Sequence, residues 1–121
     1  MKKAKDIAIK VHDRQVDKKK FPYMSHVLDV AKRVEGYGEK YVIVGLLHDA
    51  IEDTKKHPNP DELKTEIKNQ IKDSFDDEIV EAIFAMTKKP DDDYFDDYLP
   101  RVKNNEIAKK VKIADSSHNL S

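Results

Sequence analysis

The sequence contains no cysteine, and this absence excludes several classes of protein at once. Disulfide bonds, thiolate metal sites and cysteine nucleophiles all require a residue that the 121-residue chain lacks. No apolar run approaches the roughly 20 residues that a membrane-spanning helix needs. The basic N-terminal stretch also lacks the apolar region of a secretory signal peptide. We therefore expect a cytoplasmic protein without a membrane partner.

Glycine is scarce, with three residues, and the alternation of polar and β-branched residues that is typical of strands is absent. Helical spacing of apolar residues dominates instead, so the predicted fold class is all-α. A chain of this length is enough for one hydrophobic core, which predicts a single domain over residues 1–121.

The sequence also lacks an excess of positive or negative charge. The formal net charge is only -1, although 39% of the residues are charged. Lysine and arginine are spread along the chain, which argues against broad binding of DNA or RNA. A local basic pocket for a phosphorylated small molecule remains compatible with this composition.

Predicted helix starts are Ser25, Asn59 with Pro60, Ser74, and about Asn105.

Residues 41 to 47 are apolar on every face, which predicts a helix buried at the centre of the domain. Four polar residues come directly after it: His48, Asp49, Glu52 and Asp53. If the helix continues through them, three carboxylates lie close together at the negative end of its dipole. Buried charge is tolerated when it is paired or coordinates a metal, so the pattern predicts a bound cation.

Two other predicted helices bring a polar residue to their apolar face. His26 shares a face with valines of the second helix, and Asp115 continues the inward stripe of the last one. A lone inward histidine is more often a satisfied core residue than a ligand. Together with His48 and Asp49, however, these residues form a nitrogen and oxygen site that suits Mn²⁺, Fe²⁺, Co²⁺, Ni²⁺ or Zn²⁺.

Four protein ligands leave open positions on a six-coordinate ion for water and a substrate phosphate. Such an ion could lower the pKa of bound water from about 16 toward about 7, which gives a metal-bound hydroxide near neutral pH. Glu52 and Asp53 would lie near that water as base or orienting groups.

Three blocks of the sequence, residues 12–26, 46–54 and 112–120, occur in an order that resembles the HD-domain superfamily of metal-dependent phosphohydrolases. The likeness is strongest to the hydrolase domain of RelA/SpoT-type guanosine tetraphosphate enzymes and their small stand-alone relatives. The resemblance implies an all-α HD fold and favours Mn²⁺ as the ion. It also implies that Glu52 and Asp53 act on the water that attacks the diphosphate of guanosine 3'-diphosphate nucleotides.

The resemblance further places Asn119 near the bound nucleotide. Where the family has an Arg-Lys pair, this chain has Asp17 and Lys18, so either Lys18 takes the basic role at the substrate or the base preference differs. Two further departures are Val27 in place of a proline and Ser116 in place of an arginine.

Relatives usually continue with further helix, so Ser121 is either the natural end of the domain or a C-terminal truncation. The first functional hypothesis is hydrolysis of a phosphorylated nucleotide, with removal of the 3'-diphosphate of guanosine tetraphosphate-like substrates. The alternative is a non-catalytic HD-fold sensor module that binds metal and nucleotide. A third interpretation, a helical domain with satisfied core histidines, treats the inward histidines and aspartates as coincidence.

Overall fold

A computed structural model describes residues 2–16 and 19–119, with side chains through residue 117. In this part of the chain seven α-helices form one all-helical domain, which confirms the predicted fold class. Apart from an isolated antiparallel bridge between Val16 and Pro22, the described residues form no β structure. The helices are α1 (Lys2–His12), α2 (Tyr23–Arg33), α3 (Glu39–Leu47), α4 (Pro60–Ser74), α5 (Asp77–Ala85), α6 (Leu99–Lys103) and α7 (Glu106–Asn119).

Helix α3 lies at the centre of the domain and packs against α1, α2, α5 and α7. Its residues from Ile43 to Leu47 are all buried, as a helix that is apolar on every face requires. None of the described helices is both long and apolar enough to cross a membrane. The predicted central helix is therefore present, and its burial places whatever follows Leu47 inside the domain.

The polar stretch after α3 is not a regular continuation of the helix. The α-helix ends at Leu47 with His48 in the C-cap position, and a 3-10 helix follows at Glu52–Lys56. The backbone amide of Asp53 still donates to the carbonyl of Asp49 over 2.9 Å, so these two residues remain one turn apart. The expectation that the helix continues unbroken through Asp53 is wrong, and this changes the directions in which the acidic side chains point.

Helices α2 and α3 approach closely where Gly45 faces Ala31. A Cβ atom on Gly45 would lie 3.0 Å from the Ala31 Cα atom and 3.3 Å from its backbone nitrogen. Glycine is unfavourable within a helix by about 1 kcal/mol relative to alanine, so its presence here reflects the need for close backbone packing. This contact sets the spacing between the two helices that carry the inward histidines.

Two predicted helix starts are wrong by a few residues. Helix α2 begins at Tyr23 with Pro22 in the N-cap position, and Ser25 lies in its first turn. Helix α5 is capped by Asp76, whose carboxylate accepts from the Ile79 amide over 3.0 Å, while the predicted cap at residue 74 is the last residue of α4. Asp76 thus supplies the capping carboxylate of α5, whereas α2 begins without a side-chain cap hydrogen bond.

Two other helix starts agree with the sequence. Helix α4 has Asn59 in the N-cap position and Pro60 as its first residue, where the missing proline amide costs no hydrogen bond. Asn105 precedes α7, and its side-chain oxygen accepts from the Ala108 amide over 3.0 Å. Helix α4 packs against α1, α5 and the 3-10 helix, and α7 packs against α2, α3, α5 and α6.

Candidate metal centre

The end of α3 and the helices α2 and α7 bring two histidines and two aspartates together. His26 comes from α2, His48 and Asp49 follow α3, and Asp115 comes from α7. One ligand atom from each of the four lies within 4.8 Å of the others. His26, His48 and Asp115 are buried, and Asp49 is half-buried. We call these four residues the His/Asp cluster.

Short polar contacts connect the members of the His/Asp cluster. The Nε2 atom of His26 lies 2.7 Å from Asp115 Oδ1. The Nε2 atom of His48 lies 2.9 Å from Asp49 Oδ2 and 3.4 Å from Asp115 Oδ1. The Tyr23 hydroxyl donates to the Asp49 carboxylate. Carboxylate oxygens and imidazole nitrogens therefore converge on one small volume.

His48 is held in the orientation that a metal ligand needs. Its Nδ1–H donates to the Gly45 carbonyl over 2.6 Å, which directs Nε2 toward the aspartates. This Nε2 atom is buried, and although two carboxylate oxygens are near, neither is aligned as a hydrogen-bond partner. A metal-bound histidine characteristically donates its other ring N–H to a carbonyl or a carboxylate. The orphaned nitrogen and the facing oxygens fit a divalent cation.

The pKa values in the His/Asp cluster are set by burial and by the charges of the cluster's own residues. Burial alone would raise the pKa of Asp49, but the adjacent His48 outweighs this and holds it at about 2. Burial also opposes ionisation of Asp115, yet the hydrogen bond from His26 and the charge of nearby His48 keep its pKa well below the usual range. Burial lowers the pKa of His48, and the two aspartates more than reverse this, so that it is raised well above its ordinary value. The charges of His48 and of the two aspartates thus stabilise one another.

Glu52 lies beside the His/Asp cluster and is half-buried. Its Oε1 atom accepts the backbone N–H of Lys88 over 3.2 Å. Burial, followed by the charge of nearby Asp49, raises the pKa of the Glu52 carboxyl. One oxygen is therefore fixed by the backbone, and the group is a stronger base than an exposed glutamate.

Asp53 points in a different direction from Glu52. Its Oδ2 atom accepts from the side-chain amide of Gln15 over 3.0 Å and lies 3.6 Å from the Nδ1 atom of His12. Asp53 is buried, and these partners lie on or just after α1. The two acidic residues that were predicted to act together on a water therefore have different partners.

The sequence predicted no role at the site for His12, Gln15 or Tyr23. The ring of His12 lies 4.9 Å from the Tyr23 ring, and Tyr23 lies 5.3 Å from His26, measured between centroids. His12 is buried, its Nδ1 contacts Gln15 Oε1 at 2.9 Å, and its Nε2 has no hydrogen-bond partner among the described residues. The available signal was their position in the first of the three sequence blocks.

Lys112 was also missed. It is half-buried, and its Nζ atom lies 3.4 Å from Asp115 Oδ2 and over the rings of Tyr94 and Tyr98. On the other side, Lys56 lies over the Tyr23 ring at 5.8 Å from the centroid. The i,i+3 spacing from Lys112 to Asp115 was the sequence signal for this contact. Positive charge is thus present next to the His/Asp cluster.

The two residues that the resemblance places at a substrate fall outside the described side chains. Lys18, with Asp17, lies in the gap at residues 17–18, and Asn119 is the last residue of α7 with a side chain beyond the described ones. Of the two other departures, Val27 is buried in the core and Ser116 is exposed.

The family model of the HD domain matches residues 23–120 of the chain. The chain belongs to the HD domain family. The match includes the whole His/Asp cluster together with Glu52 and Asp53, whereas residues 12–22 precede it. HD domain proteins form a family of metal-dependent phosphohydrolases, and the His/Asp cluster could hold a divalent metal ion of the type that is typical of this family. Among curated proteins, no sequence matches this chain.

Proposed function

We propose that the protein is a metal-dependent hydrolase of phosphorylated nucleotides that removes the 3'-diphosphate of guanosine tetraphosphate-like substrates. The observation that carries the hydrolase part is the buried His/Asp cluster, with one histidine nitrogen that has no aligned hydrogen-bond partner. In this proposal His26, His48, Asp49 and Asp115 are the ligands of Mn²⁺.

The chain supplies a base and an orienting group next to the proposed ligands. When bound, the ion would polarise the substrate phosphate and acidify a water molecule. Glu52, with one carboxylate oxygen held by the Lys88 amide, receives the proton of the attacking water on its other oxygen. Asp53 is a positioning residue, because its described contacts are with Gln15 and His12. The water oxygen then bonds to the phosphorus atom next to the ribose while the bond from that phosphorus to the ribose 3' oxygen breaks, and the released 3' oxygen takes a proton from solvent water.

The substrate part of the proposal rests on positive charge and on the family resemblance. Lys112 and Lys56 lie near the His/Asp cluster and would meet phosphate oxygens. Asn119 is proposed as a nucleotide contact because it matches a position of the RelA/SpoT-type hydrolase pattern. Lys18 is proposed to take the basic role of the arginine that this pattern has where the chain has Asp17.

The test is diphosphate release from guanosine tetraphosphate by the Mn²⁺-loaded protein, compared with guanosine triphosphate and a generic aryl phosphate. Glu52→Gln should lower the rate by about 10²- to 10⁴-fold while Mn²⁺ affinity is retained, because only the proton acceptor is lost. Glu62→Gln is the matched control, since Glu62 is exposed on α4. It should retain the parent rate.

Each part of the proposal has its own contrary result. A Glu52→Gln variant with the full rate would remove the proposed role of Glu52. Turnover of the aryl phosphate without release from guanosine tetraphosphate would reject the substrate and keep the hydrolase. Binding of Mn²⁺ and nucleotide without turnover would favour the sensor alternative, and a protein that takes up no Mn²⁺ would contradict both.

A further inference from the structure

A second concave surface lies outside the His/Asp cluster, between α4, α5 and α6. It is a groove with a volume of about 740 Å³, and none of the four cluster residues lines it. We call it the lysine groove, after the five lysines that line it: Lys64, Lys68, Lys72, Lys88 and Lys89. Lysines on a surface are usually a solvated face, so the question is whether these differ from the others.

No described acidic side chain forms an ion pair with the lysines of the groove. Among the described residues, Lys64, Lys68, Lys88 and Lys89 form no ion pair. Elsewhere in the chain, Lys10, Lys40 and Lys112 lie within ion-pair distance of acidic groups, in the pairs Lys10–Glu66, Lys40–Glu78 and Lys112–Asp115, whereas Lys5 and Lys109 resemble the groove lysines in having no such pair within the described chain. What distinguishes the groove lysines is that they line one cavity. The chain has one more acidic than basic residue, 24 against 23, so the unpaired lysines do not result from a shortage of acids.

The arrangement of the lysines increases their mutual repulsion. Lys64, Lys68 and Lys72 are spaced by four residues on one face of α4, where like charges destabilise a helix. Partial burial and then the charges of Lys64, Lys72 and Lys89 lower the pKa of Lys68. Lys72 is also held over the Phe84 ring at 5.5 Å from the centroid. A bound anion would relieve this repulsion.

The boundaries of the groove favour a small ligand over an extended one. Arg101 lines the groove, and its guanidinium is held in place because it donates to Asp92 and to the carbonyls of Ala85 and Thr87. Glu81 lines the groove as well and would repel a polyanion that ran beyond the lysines. The volume falls within the range of about 300 to 1,000 Å³ that is typical of small-molecule sites. The net charge of -1 gives no general attraction for nucleic acid.

We propose that the lysine groove is a second ligand site, which binds a small polyphosphorylated molecule independently of the His/Asp cluster. Several phosphates on one molecule would contact Lys64 and Lys68 on α4 and Lys88 and Lys89 after α5 at the same time. Lys64, Lys88 and Lys89 also line an adjacent cavity of about 390 Å³ that includes Glu52, so the two sites are neighbours. The test must therefore separate them.

The experiment is calorimetric titration of inorganic tripolyphosphate into the metal-free whole chain at about 50 mM salt. We expect saturable binding to one site, with orthophosphate binding more weakly. Lys64→Ala combined with Lys68→Ala should weaken tripolyphosphate binding about tenfold, and Lys64→Arg combined with Lys68→Arg should retain it, because the charges are kept. The matched control combines Lys5→Ala with Lys109→Ala, which removes the same charge from exposed positions outside the groove and should change affinity less than about twofold.

Four outcomes would overturn the proposal. They are the absence of saturable binding, an equal loss in the control variant, binding that appears only after Mn²⁺ is added, and tighter binding of a single-stranded oligonucleotide that increases with its length. The third outcome would place the ligand at the His/Asp cluster, and the fourth would make the groove part of a nucleic-acid surface. Because the titration needs no turnover, its result is separate from the test of hydrolysis.

Discussion

The His/Asp cluster and the lysine groove both concentrate charge of one sign, but they compensate it differently. In the buried cluster, Asp49 and Asp115 receive contacts from two histidines and a tyrosine hydroxyl. In the more open groove, Lys64, Lys68 and Lys88 are half-buried and form no ion pair within the described chain. Burial makes an unpaired charge too costly to leave, whereas exposure allows like charges to remain together. The first site is therefore assembled by folding, and the second is available to a ligand.

The largest expected effect comes from removing one charge of the cluster without changing its shape. Asp115→Asn should weaken Mn²⁺ binding about 100-fold or more, because a proposed ligand is lost between two histidines. Titration calorimetry would measure the affinity, with Asp73→Asn, at an exposed position of α4, as the control. Tripolyphosphate binding to the groove should be unchanged in the metal-free variant. Parent affinity for Mn²⁺ would show that Asp115 is not a ligand.

The pH dependence of Mn²⁺ binding should be the next largest effect. Since contacts with the aspartates raise the pKa of His48 well above its ordinary value, the imidazole carries a proton at neutral pH when no metal is bound. An ion must displace that proton, so affinity should increase by about tenfold per pH unit from about pH 6 upward, until the pH passes the pKa of His48 in the folded protein. Calorimetry in two buffers with different ionisation enthalpies would count the released proton. Affinity that is constant with pH would contradict the assigned protonation state.

Gly45→Ala tests whether helix packing sets the cluster geometry. The added methyl group would lie 3.0 Å from the Ala31 Cα atom, so α2 and α3 must separate slightly. Overpacking costs about 1 to 3 kcal/mol, and the helix propensity of alanine offsets about 1 kcal/mol of this. We expect a small loss in the free energy of unfolding and about a tenfold loss in Mn²⁺ affinity.

Gly36→Ala is the matched control for this packing change. A Cβ atom there has no contact within 4 Å, and no unusual φ angle is needed. It should leave both the unfolding free energy and the Mn²⁺ affinity close to the parent values. If Gly45→Ala also bound Mn²⁺ normally, close packing at that position would not control the cluster.

The smallest expected effect is a gain in stability from the groove. Lys68→Gln removes one charge that is surrounded by Lys64, Lys72 and Lys89, so the free energy of unfolding should increase by up to about 0.5 kcal/mol at low salt. The gain should disappear at about 1 M salt, where such repulsion is screened. Thermal unfolding would measure it against Lys5→Gln, an exposed site on α1. A gain that persists at high salt would have a cause other than repulsion.

The sequence predicted the parts of this molecule that depend on periodicity. Helix α3 was recognisable because it is apolar on every face, and His26 and Asp115 were identified because they interrupt apolar stripes on other helices. Their convergence on His48 and Asp49 follows from helices that pack around one core. These are consequences of regular geometry, which a one-dimensional pattern records well.

The remaining features depend on where regular geometry stops. Because α3 ends at Leu47, helical spacing could not show that Asp53 would turn to Gln15 while Glu52 stayed beside the cluster. The groove was missed for a different reason. The i,i+4 lysines of α4 are visible in the sequence, but whether an acidic residue reaches them is a property of the tertiary structure.

Gly45 gives the cluster one further property. Its backbone lies against Ala31, and its carbonyl accepts the His48 N–H, so the helix separation and the direction of one imidazole are fixed by the same residue. A change in side-chain volume at this contact would widen or narrow the space between the four donor atoms. In the proposed metal site, the distances between the donor atoms therefore depend on the packing of the core one helical turn before His48.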